Sequence, residues 1–177
     1  MRTLTQKRVL PGTKEYEEVK ALYDAAFPPV DDLDEMVREA GNEKAALFGY
    51  YLEGELAAFA FVLLPGHYCY VLYSALAEHL RHRGMIREIL AHIREAFPER
   101  PIVFDIETPL DAAPDREERM YRYGMFSHLG FGDTGFGMTD ASGTYTIFCE
   151  GPFDEQAFRE SWDILPGEFG GTKIIAF

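Results

Sequence analysis

The sequence predicts a mixed α/β domain with a mainly antiparallel central sheet of six to seven strands flanked by helices. Two observations lead to this class. Short segments rich in aromatic and β-branched residues alternate with turn residues, as in hairpins, and segments with helical apolar spacing stand between some of them. The chain has 177 residues, 47% hydrophobic and 27% charged, enough for one domain with a substantial core. We expect residues 1–150 to form this domain and residues 151–177 to add a C-terminal helix and tail packed on it.

The first part of the chain predicts one strand followed by two helices. The strand occupies residues 3–10. Thr13 then caps a helix that ends before Pro28, and its apolar side chains repeat at helical spacing: Tyr16, Val19, Tyr23 and Phe27. Asp32 opens a second, shorter helix, which we expect to stop at Gly41.

Three strands come next, joined by two turns. They occupy residues 46–52, 56–64 and 68–76, with turns at Glu53-Gly54-Glu55 and Pro65-Gly66. A polar loop then leads to a strongly amphipathic helix, whose inward residues are Ile86, Ile89, Leu90, Ile93 and Phe97.

The last part of the chain predicts strands at 102–106, 131–138 and 144–149, with helices at 115–129 and 154–162. Gly130 follows the first of these helices in the position of a C-cap. A short apolar tail, 174–177, ends the chain. Strand–helix–strand connections inside a mainly antiparallel run indicate a mixed sheet with helices on its faces.

The acidic composition argues against a nucleic-acid partner. The formal net charge is -13, and a surface of that sign repels phosphate backbones. Basic residues are concentrated at Arg81-His82-Arg83, with Arg87 one turn later. The sign of the charge therefore reverses locally at this segment.

Composition also predicts a cytoplasmic protein without a membrane segment. Residues 1–8 lack the apolar core of a signal peptide, and the longest apolar stretch, 56–64, is far too short to span a bilayer. Cys69 and Cys149 cannot serve as a disulfide framework for a domain of this size, so we interpret both as reduced thiols.

The junction between strand 68–76 and the following amphipathic helix is the most informative segment. A helix N-terminus presents unpaired N–H groups and about half a positive charge, which suits a phosphate. Gly84 lets the backbone approach a ligand closely, and Arg81 and Arg83 add positive charge. The alternative is an ordinary loop with solvated arginines, and spacing alone leaves both interpretations open.

Several segments resemble the GNAT superfamily of acetyltransferases. Arg81-His82-Arg83-Gly84-Met85-Ile86 stands where that family has its pyrophosphate signature, Gln/Arg-x-x-Gly-x-Gly/Ala. Tyr73-Ser74-Ala75-Leu76 is similar to the family's fourth strand, and Met125–Phe131 to its Phe-Tyr-x-x-x-Gly-Phe stretch. Ala26-Phe27-Pro28 and Val103–Glu107 resemble one bacterial branch of the superfamily.

The resemblance covers about residues 3–150 and implies direct attack of a neutral primary amine on the thioester of acetyl-CoA within a ternary complex. A fourth-strand N–H near Leu76 is implied to stabilise the oxyanion. The residues implied to bind the coenzyme are Ser74, Ala75, Leu76, Arg81, Arg83, Gly84, Met85, Ile86 and Phe126.

A base must accept the proton of the amine, often through water, and two carboxylates are candidates. We favour Glu107, with Asp105 second, because a carboxylate at this strand recurs in the resembling branch. Strand alternation places both on the face of Val103. The alternative is that they simply mark a solvated strand end.

Two residues depart from the family pattern. Ile86 occupies the place of the second Gly/Ala, so a branched side chain stands where the backbone approaches the diphosphate, although the amide N–H remains. Phe126 replaces the tyrosine that protonates the departing thiolate. Such help is worth roughly 10²–10⁴-fold in rate, so its loss slows catalysis without abolishing it. Tyr123 and Ser127 are candidates to replace the missing acid, and Tyr123 is equally explained as a core aromatic.

The remaining candidates favour structural roles. His79 and His82 are three residues apart, but no third ligand is evident and the interleaved arginines repel cations, so we predict no metal site. Cys69 is interpreted as a small buried hydrophobe and not as a nucleophile. Phe158 and Trp162 are interpreted as packing residues, with the roof of an acceptor pocket or a dimer contact as alternatives.

The sequence thus supports an acetyl-CoA-dependent N-acetyltransferase acting on a small-molecule or peptide amine, and the acidic balance favours a cationic acceptor. A homodimer is compatible with this hypothesis. The main alternative is a module that binds CoA or acyl-CoA without turnover, which Phe126 and Ile86 favour. A partner-binding domain without CoA would be favoured if the helix start after Gly84 were closed by the protein itself.

Overall fold

A computed structural model describes residues 4–27, 31–81, 84–110, 112–139, 143–162 and 173–177, the side chains of residues 161 and 162 excepted. The strands in these residues are β1 (Thr5–Arg8), β2 (Ala45–Leu52), β3 (Glu55–Leu63), β4 (Cys69–Leu76), β5 (Ile102–Glu107), β6 (Phe131–Thr139), β7 (Thr144–Glu150) and β8 (Lys173–Ala176). The helices are α1 (Lys14–Ala26), α2 (Leu33–Lys44), α3 (Met85–Ala96), α4 (Arg116–His128) and α5 (Glu155–Trp162), with a 3₁₀ turn at Glu78–Leu80.

The strands form one sheet in the order β1-β2-β3-β4-β5-β7-β6-β8. The pairings of β1 with β2, β2 with β3, β5 with β7, β6 with β7 and β6 with β8 are all antiparallel. This confirms the predicted α/β class with a mainly antiparallel sheet. The prediction of six to seven strands falls short because the apolar tail forms β8, where Ile174 pairs with Met138 of β6.

Two compact units can be distinguished in the chain. The first comprises Met1–Leu64 and Val71–Pro98, and the second comprises Pro65–Tyr70 and Glu99–Phe177. The boundary at residue 150, expected from the sequence, stays a prediction.

In the first unit, helices α1 and α2 begin at side-chain caps, as predicted. The hydroxyl oxygen of Thr13 accepts a hydrogen bond from the Tyr16 amide at 3.2 Å, and Asp32 accepts one from the Asp34 amide at 2.8 Å. The backbone of α2 leaves the helical conformation at Gly41, the end expected from the sequence. Gly41 takes a φ of 67° and kinks the helix, which continues to Lys44, because glycine tolerates this angle at little cost.

The hairpin between β2 and β3 has a two-residue turn at Glu53 and Gly54. Both residues have positive φ, at 54° and 91°, as a type I′ turn requires. Helix α3 buries Ile89, Leu90 and Ile93, which matches its predicted inward face. Ile86 and Phe97, expected on the same face, are only half-buried, because they lie at the two ends of the helix.

In the second unit, β5 is buried along most of its length. The ring centroids of Phe104 on β5 and Phe126 on α4 are 4.3 Å apart. Phe158 of α5 is fully buried. The centroid of its ring lies 5.6 Å from that of Tyr68 and 6.0 Å from that of Tyr70. The interpretation of Phe158 as a packing residue is therefore confirmed. No helix in the described residues is long and apolar enough to cross a membrane.

Candidate active site

The start of α3 is an exposed backbone turn at Gly84. This residue has φ 74° and ψ 9°, the left-handed region, and no described side chain caps the helix. A Cβ added at Gly84 would meet nothing within 4 Å, so the described residues leave open space on this side of the backbone. Unpaired N–H groups beside open space are the arrangement that an anion requires.

Among the described residues near Gly84, the acidic side chain in the first turn of α3 is bonded elsewhere. Arg81 is exposed, and Met85 and Ile86 are half-buried. Glu88 stands in the first turn of α3, but its Oε1 accepts a hydrogen bond from the backbone amide of Leu4 at 2.7 Å. The predicted ligand Arg83, together with His82, lies outside the described residues.

The predicted thioester-binding residues lie where β4 becomes exposed. Val71 is buried, whereas Ser74 is exposed and Ala75 and Leu76 are half-buried. The amide of Ala77 then donates to the carbonyl of Ala57 at 2.8 Å. The end of β4 and the start of α3 belong to the same compact unit.

The two candidate bases on β5 have different partners within the second unit. Asp105 accepts a hydrogen bond from the phenol of Tyr70, which is almost fully buried. Glu107 accepts from Arg122 at 2.5 Å and from Arg119 at 3.3 Å, one arginine on each carboxylate oxygen. The side chain of Glu107 is 42% exposed, so its orientation is fixed while water still reaches it.

Sequence reasoning missed Arg119 and Arg122 as partners of Glu107. Their spacing of three residues on a predicted helix places them on one face, which is a usable signal. Nothing in the sequence, however, says which carboxylate that face meets. Arg119 also pairs with Asp115 at 2.8 Å, so a single arginine links the start of α4 to the end of β5.

Tyr123 and Phe126 lie on α4, and neither offers a free proton among its described contacts. The Tyr123 hydroxyl donates to Asp133 at 2.5 Å. That hydrogen bond and partial burial raise the pKa of Tyr123 to about 12. Phe126 packs on Phe104 in an aromatic cluster. Ser127 is exposed and donates to the carbonyl of Tyr123 at 3.0 Å.

The cysteines have the structural role that the sequence predicts. Cys69 and Cys149 are buried free thiols. Burial raises the pKa of Cys69 to about 12 and that of Cys149 to about 11, so neither is a thiolate near neutral pH. Among the described histidines, His79 and His128 are exposed, and the described residues contain no group of three potential metal ligands.

Solved structures of acetyltransferases share this fold. A protein described as a GNAT-family acetyltransferase from Bacteroides thetaiotaomicron has 17% identity and a TM-score of 0.67, over 94% of this chain and 98% of that chain. The ribosomal-protein-S18-alanine N-acetyltransferase of Escherichia coli has 14% identity and a TM-score of 0.62, over 86% and 97%. A Bacillus subtilis acetyltransferase in complex with CoA has 11% identity and a TM-score of 0.58, over 85% and 100%.

No family model matches the sequence, and no curated protein matches it either. Identities of 17% and below establish the fold and nothing finer. The chain therefore has the fold of the GNAT acetyltransferases. This finding confirms the fold that the resemblance implies.

Proposed function

We propose that the protein is an acetyl-CoA-dependent N-acetyltransferase that acts in the cytoplasm on a primary amine of a small molecule or peptide. The observation that carries the proposal is the uncapped start of α3 at a left-handed glycine, within the same unit as the exposed end of β4. The fold supports it, since the Bacillus subtilis neighbour was solved with CoA.

In this proposal, the first backbone N–H groups of α3 bind the diphosphate of the coenzyme. Arg81 and Arg83 contribute positive charge. Ile86 still supplies its backbone amide, and its side chain is half-buried. The exposed end of β4 at Ser74 to Leu76 pairs with the extended arm, and an N–H near Leu76 donates to the thioester oxygen.

Glu107 is the proposed base, acting through a water molecule, and Asp105 is the second candidate. The two arginines fix the orientation of the Glu107 carboxylate, and its exposure admits the water. The same ion pairs also suit a purely structural role. Glu107→Gln separates the two: loss of the acidic limb of the pH–kcat profile supports a base, whereas a lower melting temperature with an unchanged profile contradicts it.

A matched control for that experiment is Glu118→Gln. Glu118 pairs with the same Arg122 at 3.3 Å, and its side chain is 72% exposed. This variant removes an equal charge from the arginine network without touching β5. We expect it to leave the pH profile unchanged.

A module that binds CoA without turnover is the second candidate function, and specific residues favour it. Phe126 cannot donate a proton, and the hydroxyl of Tyr123 is already bonded to Asp133. Thermal-shift measurements with acetyl-CoA test the coenzyme site, and thiol release over a panel of amines tests turnover. A shift together with thiol release supports the enzyme. A shift without release supports the module, and no shift contradicts both.

A further inference from the structure

A carboxylate bonded to a member of an aromatic cluster lies in the first unit, beside the predicted thioester site. The Tyr73 hydroxyl on β4 donates to Asp31, just before α2. The centroid of the Tyr73 ring lies 5.3 Å from the ring centroid of Tyr23 and 4.9 Å from that of Phe27, and both of these residues are at the end of α1. We call Asp31, Tyr73, Tyr23 and Phe27 the Asp31 cluster. Tyr73 directly precedes Ser74, so the cluster adjoins the residues proposed to hold the thioester arm.

The Asp31 cluster is partly exposed. Asp31, Phe27 and Tyr73 are half-buried, whereas Tyr23 is buried. The Tyr23 hydroxyl donates to the backbone carbonyl of Asp31 at 3.2 Å. The described residues include no lysine, arginine or histidine that forms an ion pair with Asp31. Among the described side chains, the Tyr73 hydroxyl is the group that bonds to the Asp31 carboxylate.

A second tyrosine–aspartate pair in the same unit includes a cationic side chain, which the pair of Tyr73 and Asp31 lacks among the described residues. The Tyr16 hydroxyl donates to Asp34 at 2.6 Å, and the ammonium of Lys20 pairs with the other carboxylate oxygen. The pair at Asp34 thus has a phenol and a cation, whereas the pair at Asp31 has only a phenol among the residues that the structure describes. A partly buried carboxylate without a cation is unfavourable relative to one with a cation, and aromatic rings add attraction for a cation within about 6 Å.

We propose that the Asp31 cluster binds a protonated alkylammonium group of the acyl acceptor. The geometry supplies the carboxylate as a hydrogen-bond acceptor and the Phe27 and Tyr73 rings as a partly open aromatic wall. This inference rests on the proposed acetyltransferase function and names the class of its acceptor.

The nitrogen bound at Asp31 is not the nitrogen that becomes acetylated. A nitrogen must be neutral to attack a thioester, whereas a neighbouring carboxylate stabilises its protonated form. One acceptor nitrogen therefore stays charged at Asp31, and a second attacks the carbonyl carbon, loses its proton to the base and releases the thiolate. The acceptor class is a diamine or another amine with a remote cationic group.

A matched pair of acceptors tests this inference. 1,4-Diaminobutane and pentylamine have the same number of heavy atoms, and only the first carries a second ammonium. We expect the wild-type protein to prefer the diamine in kcat/KM by at least about tenfold, since a hydrogen bond to a charged group is worth roughly that factor or more. Asp31→Asn keeps an acceptor for the Tyr73 hydroxyl and removes the charge, so the preference should fall toward one.

Two further variants separate recognition from a structural role. Asp24→Asn removes an equal charge from an exposed position on α1, and the diamine preference should remain. Phe27→Leu should lower the preference by about two- to fivefold, the size of one cation–π contact. Melting temperatures verify that each variant is folded, and Phe27→Leu decides the matter if Asp31→Asn does not fold.

The outcomes also distinguish this inference from the proposed function. Equal kcat/KM for the two amines in the wild type, or an unchanged preference in Asp31→Asn, overturns the inference while acetyl transfer stands. If no amine is acetylated, the proposed function fails and calorimetry decides instead. Diamine binding in the presence of CoA that is lost in Asp31→Asn and retained in Asp24→Asn supports the cluster, and any other calorimetric result overturns it.

Discussion

Helices α3 and α4 both begin without a described side chain bonded to their first backbone amides, yet they begin in different surroundings. The first three residues of α3 are Met85, Ile86 and Arg87, and none is acidic. Helix α4 begins beside Asp115, Glu117 and Glu118. A carboxylate at a helix N-terminus takes the favourable interaction with the dipole that an external anion would otherwise make. The start of α4 therefore has its own anions, whereas the acidic residue in the first turn of α3, Glu88, accepts a hydrogen bond from the Leu4 amide.

An uncapped helix start is therefore not by itself an anion site. An anion site also requires an open backbone conformation and local positive charge at the same helix start. Gly84 is left-handed and open, and Arg81 precedes it. At α4, Asp115 is held by Arg119 at 2.8 Å, so the charges there are paired within the chain. Of these two helix starts, the first is the one suited to a coenzyme diphosphate.

The strongest test of this comparison is Gly84→Glu. A carboxylate at the open helix start repels the diphosphate, and like charges in contact cost several kcal/mol, so CoA affinity should fall by at least about 100-fold. Calorimetric titration with CoA measures the effect. An unchanged affinity would refute the phosphate-binding assignment.

A matched control separates charge from backbone strain. Gly84→Gln imposes the same left-handed conformation on a side-chain residue, which costs about 1–2 kcal/mol, without adding charge. We expect Gly84→Gln to bind CoA at least about tenfold more tightly than Gly84→Glu. Equal losses in the two variants would assign the effect to the backbone.

The start of α4 carries its own acidic residues, so any role of this helix in catalysis is expected near its C-terminal end. Phe126 lies in the last turns of this helix, and Phe126→Tyr restores the hydroxyl that the resembling family uses as an acid. A well-placed acid gives roughly 10²–10⁴-fold, and for a tyrosine placed without optimisation we expect about a tenfold gain in kcat. The measurement is the rate of thiol release at saturating substrates. No gain, with normal CoA affinity, would indicate that another residue already protonates the thiolate.

A third prediction compares one arginine at each helix start. Arg81→Gln should weaken CoA binding about five- to tenfold, because a partly exposed ionic contact to phosphate is worth about 1 kcal/mol or slightly more. Arg116→Gln, at an exposed position in the first turn of α4, should leave CoA affinity unchanged. Raising the salt concentration should narrow the difference between them. Equal effects would remove the distinction between the two helix starts.

Much of the fold could be predicted because its signals are local. The caps at Thr13 and Asp32, the turn at Glu53-Gly54 and the apolar face of α3 are set by neighbouring residues. The tail was not predicted as a strand. Four residues of apolar sequence carry no periodic signal, and β8 exists because β6 offers a partner edge.

The candidate site was predictable only in part, because its interactions cross long stretches of sequence. The glycine at the start of α3 follows from strand-to-helix spacing. The partners of Glu107 lie on α4, and the phenol that contacts Asp31 lies on β4, 42 residues away in sequence. Charge-bearing residues can be listed from a sequence, but which of them meet is decided by the packing of elements.

The smallest expected effect concerns a helix start that does have a cap. The hydroxyl of Thr13 accepts from the Tyr16 amide and donates to the Leu10 carbonyl at 2.7 Å. Thr13→Ala removes both bonds and should lower the free energy of unfolding by about 1 kcal/mol, measured by urea denaturation, while Thr13→Ser should retain most of it. CoA affinity should not change in either variant, since a side chain already satisfies this helix start. If Thr13→Ala lost as much CoA affinity as Arg81→Gln, the capped start of α1 would also contribute to CoA binding. The presence of a side-chain cap would then not distinguish a structural helix start from a ligand-binding one.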